Sequence, residues 1–359
     1  MKVKPYRTSI LLVITFSLLL STFWLMPQLA FIIFISLLLQ LLLTPLVNRL
    51  NTKLPRAMAA GLVLVIFIAL ALFLLALVSS SFIPTFTSFV TDFPSTAAKL
   101  QGIGDMQNSD FFRQELDNLW NELQAASVGA LKSSLTLILS LFSKVIDMVI
   151  IIFVTFYLLK DGAEIKMYLA SRFPTDDYTR VLKLFNRILS ALRIYICSQL
   201  VICFITAAIV FLYYTLRGLP YGSVFAMVSG IAEFIPVLGP TVASVFGTLL
   251  TATVDPIIAV QTAGFYLLLT QINHNFIYPT LIGKSLNLHP IAIILGIILG
   301  GELLDAAGMF LAVPFIVICK LVIEDIYDNR QAVRLREQNS RWLAKKQTKE
   351  GGNHVSRFS

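Results

Sequence analysis

Charge is scarce in this chain. Asp, Glu, Lys and Arg make up 13% of its 359 residues, against about a quarter in soluble domains, while 57% are apolar and the mean hydropathy is +0.81. That shortage excludes a soluble globular fold and leaves a polytopic membrane protein. Cysteine is sparse too. Cys197, Cys203 and Cys319 all lie inside apolar segments without metal-ligand spacing, so they are expected to be small buried hydrophobes rather than disulfide partners or ligands.

The signatures of catalysis are missing as well. The chain has no P-loop, no paired-cysteine zinc spacing and no HExxH. Gly102-Ile-Gly-Asp105 has the four-letter form of intramembrane aspartyl proteases, but it lies in a polar stretch and lacks an aspartate partner in a neighbouring span. An enzyme is therefore not expected, nor a cofactor or a resident metal.

What the chain does have is long apolar runs with Lys and Arg clustered beside them. The net charge of +8 follows the positive-inside pattern of cytoplasmic loops, which makes the lipid bilayer the expected partner and excludes nucleic acid. Lys2, Lys4 and Arg7 precede an apolar run to Met26 with no small-residue cleavage site, so this segment is expected to be an anchor.

Taken in order, the chain divides into six parts. Residues 1–83 hold N-terminal spans at 9–26, 29–43 (ending at Pro45) and 58–83. Residues 84–132 form a polar extracytoplasmic segment in which Phe111, Phe112, Leu116, Leu119, Trp120 and Leu123 recur at helical spacing. Residues 133–159 span again, with Asp147 three positions after Lys144; an intramembrane acid is a pathway candidate, and a salt bridge near the outer interface is its plainer role. Residues 160–193 are a basic cytoplasmic segment whose second half is an amphipathic helix running into the next span. Residues 194–323 form a transport core, with Arg193 and Gln199 expected as interface anchors at its start, and 324–359 a basic cytoplasmic tail.

The core contains two apolar stretches, 221–254 and 290–322, that are too long for one crossing: as single helices they would measure about 45 to 50 Å against a hydrocarbon core of about 30 Å. Each is interrupted. The first break is Glu233-Phe-Ile-Pro-Val-Leu-Gly-Pro240, and the second is Gly300-Gly-Glu-Leu-Leu-Asp-Ala-Ala-Gly308. A shift of 69 positions lays Glu233 on Glu302, Gly239 on Gly308 and Ala243 on Ala312, which is either a true repeat or chance in a Gly- and Ala-rich sequence. Broken helices survive in a membrane only where protein or a wet cavity satisfies the freed backbone, and paired breaks point to a transporter's substrate site. The expected fold is all-α: a polytopic bundle with two broken or re-entrant segments and a small extracytoplasmic helical insertion. Eight full crossings fit the basic tail equally well; Lys284 favours hairpins.

Five short motifs stand in order: Phe156-Tyr-Leu-Leu-Lys-Asp-Gly162, the first break, Asn275-Phe-Ile-Tyr-Pro279, Gly283-Lys-Ser-Leu-Asn-Leu-His-Pro290, and Gly300-Gly followed by Gly308-Met-Phe-Leu-Ala-Val-Pro314. With the layout, they resemble the AI-2E transporter family, also called the PerM-like permeases. The resemblance implies a bacterial inner-membrane protein with both termini cytoplasmic, without ATP-binding machinery, and a homo-oligomer with a pentamer as a candidate size. It implies export of a small polar solute such as autoinducer-2, or exchange of sodium or lithium for protons. Asn273 departs from the acidic residue common among relatives at that position, and Asp305 from the usual glycine.

Glu233, Glu302 and Asp305 are the candidate coupling residues, since a carboxylate at a membrane cavity can take up and release a proton as access alternates, or ligate sodium. Capping of broken helix ends is their alternative role. Pro236, Gly239, Pro240, Gly300, Gly301 and Gly308 are expected as backbone requirements along the same pathway. Asn273 and Asn275 face one substrate only if the chain unwinds before Pro279; otherwise they point apart and bond between helices. His289, ahead of Pro290, is expected at the entrance to the second broken segment. A third function class remains open: a structural or signalling protein that binds a partner through residues 85–130.

Overall fold

The computed structural model describes residues 7–74, 76, 80, 134–174, 177–236, 238–282 and 288–355, and every regular element among them is helical. The all-α expectation holds for these residues. The extracytoplasmic segment 84–132 and Lys284 lie outside the described residues.

Helix α1 (Arg7–Leu25) and helix α2 (Pro27–Leu50) are separated by Met26 alone. Pro27 opens α2 at a position where its missing N–H leaves no bond unmade. Contrary to expectation, α2 does not stop at Pro45. Leu43 and Val47, 2% and 1% exposed, bury on either side of it against Ala59, Ala60, Val63 and Leu64 of α3 (Arg56–Leu74) and Leu159 of α4 (Ser134–Ser171). That packing outweighs the loss of one ladder bond. Helix α4 continues without a break past Lys160 to Ser171, and α5 (Tyr178–Leu216) runs through Arg193, so the described part of the basic segment is mostly two helical extensions.

Helix α5 is the mast of the bundle. Its first half packs with Leu12 of α1, Leu38 and Leu41 of α2, and Leu311, Val317 and Leu321 near the C-terminal end of the core. Its second half packs, through Val210 and Tyr214, on Phe225, Tyr266 and Leu269. At its end Leu219 N–H bonds to Tyr214 O (2.9 Å) and Gly218 N–H to Thr215 O (3.1 Å), a Schellman closure with Gly218 at φ 61°.

Both interrupted stretches are hairpins. In the first, α6 (Gly222–Ala232) and α7 (Leu238–Val254) are about 16 and 25 Å long and too short to cross alone. They fold against each other so tightly that a Cβ on Gly239 would stand 1.7 Å from Ala232 O, which only glycine permits. In the second, α10 (Pro290–Val355) leaves helical geometry at Leu304 and Asp305 and doubles back. A Cβ on Gly308 would lie 1.9 Å from Gly300 O.

The hairpins enter from opposite ends. The open end of the first lies where α5 finishes, with Gly222 and Gly247 against Tyr214. From there α8 (Pro256–Ile272), a five-residue π turn (Asn273–Ile277) and α9 (Tyr278–Ile282) carry the chain to the other end, where Leu281 O accepts a hydrogen bond from Ser198 Oγ (3.0 Å). The second hairpin starts there and finishes with Asp325 paired to Arg180 at 2.6 Å, at the beginning of α5. Among the described residues, α8, the π turn and α9 therefore separate two oppositely directed hairpins, an arrangement that differs from uninterrupted passes at both breaks. Their tips touch through Phe234 and Phe310, edge to face at 5.4 Å.

The outer surface is apolar, with Phe204 and Leu216 76% exposed and Val260 74% exposed. Such a girdle belongs in lipid.

Candidate functional site

Glu233 is the first residue after α6, and the turn of the hairpin carries it into the bundle, where it is 1% exposed. Three elements close around it. From α5, Gln199 Nε2 donates to the Glu233 carbonyl at 2.7 Å. From the π turn, Asn273 Nδ2 lies 3.0 Å from Thr206 Oγ1 and 3.4 Å from Glu233 Oε1. From α9, Tyr278 Oη donates to the same Oε1 at 3.3 Å. One turn earlier, Ser229 Oγ and Tyr266 Oη are 3.2 Å apart.

The donors that reach the carboxylate are neutral. Beside it is a cleft of about 10 Å³, room for a single water, lined by Thr206, Glu233, Pro240, Tyr266 and Asn273 among others. Gln199 Oε1 and Asn273 Oδ1 are buried without a hydrogen-bond partner among the described residues. Buried amide oxygens are seldom left so, because each forfeits its interaction with water. The cluster can therefore hold a proton on the carboxyl or a small hard cation among its oxygens.

Asn273 owes its place to Pro279. Proline cannot donate in the helical ladder, and directly upstream the chain widens so that Tyr278 N–H bonds to Asn273 O, five residues back. The chain stays helical, so the two asparagines diverge. Asn273 is 2% exposed inside the bundle, whereas Asn275 is exposed and bonds to Gln271 at 3.0 Å.

The other candidates lie elsewhere. Pro236 belongs to the first turn, and Gly239 is buried against the arm it packs on. Gly300 and Gly308 line an apolar groove of about 410 Å³ along the second hairpin, and Gly301 packs on Met309. Glu302 and Asp305 are exposed near its tip and line neither cleft nor groove. His289 caps α10: its Nδ1 accepts from Ile291 N–H at 3.3 Å. Asp147 accepts a hydrogen bond from Gln28 Nε2 (2.7 Å) at the start of α2, and so belongs to a helix contact apart from the cluster.

Sequence reasoning misplaced Gln199 as an interface anchor; it is fully buried and holds the Glu233 backbone. It also passed over Thr206 and Tyr278. The available signal was a polar stripe at helical spacing inside an apolar span: Tyr195, Gln199 and Thr206, all at most 3% exposed.

Known proteins match this architecture over most of its length. Two from Bacillus subtilis (strain 168) are "Putative transport protein YueF", 28% identical over 336 residues (86% of this chain, 90% of the relative), and the similarly titled YrrI, 26% identical over 311 residues (84% and 88%). A third, MT0215 of Mycobacterium tuberculosis with the same form of title, is 26% identical over 297 residues (79% and 78%). The AI-2E family transporter model matches residues 11–328, which take in most of α1, both hairpins and the Glu233 cluster, and the chain belongs to that family.

Proposed function

We propose that this multi-pass membrane protein is a secondary transporter that exports a small polar solute such as autoinducer-2, coupled to an ion through Glu233. The supporting observation is the burial of that carboxylate, at the tip of a hairpin, among donors that are all neutral within the described residues. A carboxylate closed off from water, whose hydrogen-bond donors among the described residues are all neutral, is poised to take up a proton or a cation and to release it when the hairpin opens. Rocking of the hairpins against α5 would supply that alternation. We place the protein in a bacterial inner membrane as a homo-oligomer, in line with the family resemblance, and with both termini cytoplasmic, an orientation that the basic residues beside the spans support. Glu302 and Asp305 are assigned no coupling role.

A second reading, exchange of sodium or lithium for protons, is favoured by the two unpartnered amide oxygens beside Glu233, since oxygen donors suit hard cations. Purified protein in proteoliposomes under an imposed pH gradient distinguishes the two. Gradient-dependent movement of autoinducer-2 supports the first reading, and sodium movement without it supports the second. Neither flux above that of empty vesicles would overturn both.

A further inference from the structure

At the end of the bundle where Arg49, Lys53 and Arg56 gather, four helices leave a cavity of about 280 Å³ unconnected with the Glu233 cluster. Helix α2 lends Gln40 and Thr44, α3 its first residue Arg56, α4 Gly162 and Lys166, and α5 Asn186, Ser190 and Arg193. Three cations line it and no carboxylate does. The nearby acid Asp161 is paired with Lys160 at 3.5 Å.

The cations are held but not used up. Arg56 Nε donates to Leu159 O (3.0 Å), which anchors the guanidinium and leaves its terminal nitrogens without a bond among the described residues. Lys166 Nζ donates to Asn186 Oδ1 (2.7 Å) and keeps two further donors. Arg193 makes no hydrogen bond or ion pair among the described residues, although it is the cation at the head of the apolar half of α5. Gly162, the last residue of the Phe156–Gly162 motif, forms part of the wall; a Cβ there would meet only Gln40 Nε2, at 3.8 Å. The glycine thus keeps space open where no backbone conformation demands it.

We propose that this cavity binds a phosphate group, carried either by a small soluble ester or by an anionic lipid headgroup. Like charges gathered without acids repel one another and are relieved by a multivalent anion, and two guanidinium groups offer the forked donors that phosphate oxygens accept. The volume, just below the roughly 300 to 1,000 Å³ of drug-sized sites, fits a headgroup rather than a large ligand. At a membrane interface the same residues meet lipid phosphates directly.

The test uses the full chain in nanodiscs of phosphatidylcholine, titrated calorimetrically with inorganic phosphate, and in parallel native mass spectrometry after addition of phosphatidylglycerol. The variants are Arg193→Gln, the double variant Lys166→Gln with Arg193→Gln, and Gly162→Leu, which fills the cavity and keeps every charge. Arg193→Gln breaks no hydrogen bond or ion pair among the described residues and guards against loss through misfolding. Phosphate binding weakened at least about tenfold by the double variant and by Gly162→Leu supports the site with a soluble source. Retained phosphatidylglycerol lost in the same variants supports it with a lipid source. Binding of neither probe, or binding that Gly162→Leu leaves unchanged, overturns the proposal.

Discussion

Gly239 and Gly308 stand at corresponding points of two oppositely directed hairpins, each pressed against a carbonyl of the facing arm, yet the acids beside them have different fates. Glu233 is buried under three neighbouring elements, while Glu302 is exposed near the tip of its hairpin, and the space along the second hairpin is an apolar groove. The turn is a backbone device and carries no chemistry of its own. What makes one carboxylate a candidate for coupling is the set of side chains, Gln199, Thr206, Asn273 and Tyr278, that other helices bring to it. The second hairpin instead sets Leu311, Val313, Val317 and Leu321 into the core with α1, α2 and α5. One hairpin holds polar groups and the other fixes the scaffold.

The largest effects should fall where the hairpins are alike. Gly239→Ala and Gly308→Ala each force a methyl group into a backbone carbonyl, at 1.7 and 1.9 Å, with no flexible side chain to move aside. Overpacking usually costs about 1 to 3 kcal/mol and more where backbone must shift, so both variants should lose the monodisperse peak in size-exclusion chromatography. A well-behaved Gly239→Ala protein would mean that α6 and α7 are not in contact there.

The next test separates the hairpins. Glu233→Gln keeps an acceptor for Tyr278 and Asn273 and should unfold at nearly the wild-type temperature, but its gradient-driven flux should fall to that of empty vesicles. Glu302→Gln, at an exposed position, should leave flux and stability alone. Equal losses from both would show that the two acids share a role, as true repeats would.

Much of the fold was legible in the sequence because it rests on length and interruption. Two apolar stretches too long for one pass, one interrupted by proline and glycine and the other by glycine and acids, allow few outcomes in hydrocarbon, and hairpins were one of the two that the sequence left open. Pro45 was misleading, since its effect depends on what packs beside it, and the neighbours Ala59 and Leu159 come from distant parts of the chain. The site was only half legible. An acid in a break can be seen, but its burial depends on α5 and on a π turn that no periodicity announces. Gln199 could have been singled out as a polar residue on an inward-facing stripe, while the route from Pro279 to the placement of Asn273 needs the three-dimensional ladder.

Asn273→Leu probes that placement at smaller scale. It removes the donor to Thr206 and Glu233 and leaves both acceptors buried, so stability should drop by about 1 to 3 kcal/mol in thermal unfolding in detergent. A stable Asn273→Leu protein would indicate that the cluster is more hydrated than its 10 Å³ cleft allows.

The smallest effect runs in the opposite direction and belongs to the second hairpin. Asp305 sits at φ 51° and ψ −139°, a combination that only glycine adopts without strain, and it is exposed. This chain therefore carries a side chain that its own turn disfavours. Asp305→Gly should relieve strain on the order of 1 kcal/mol and raise the unfolding temperature slightly, while Asp305→Ala, which keeps a Cβ, should not. If Asp305→Gly is instead less stable than wild type, the carboxylate makes a contact beyond the described residues, such as one with a neighbouring copy. The tip of the second hairpin would then hold an acid for a purpose, as the first does, and the contrast between the two would narrow to the partner each acid finds.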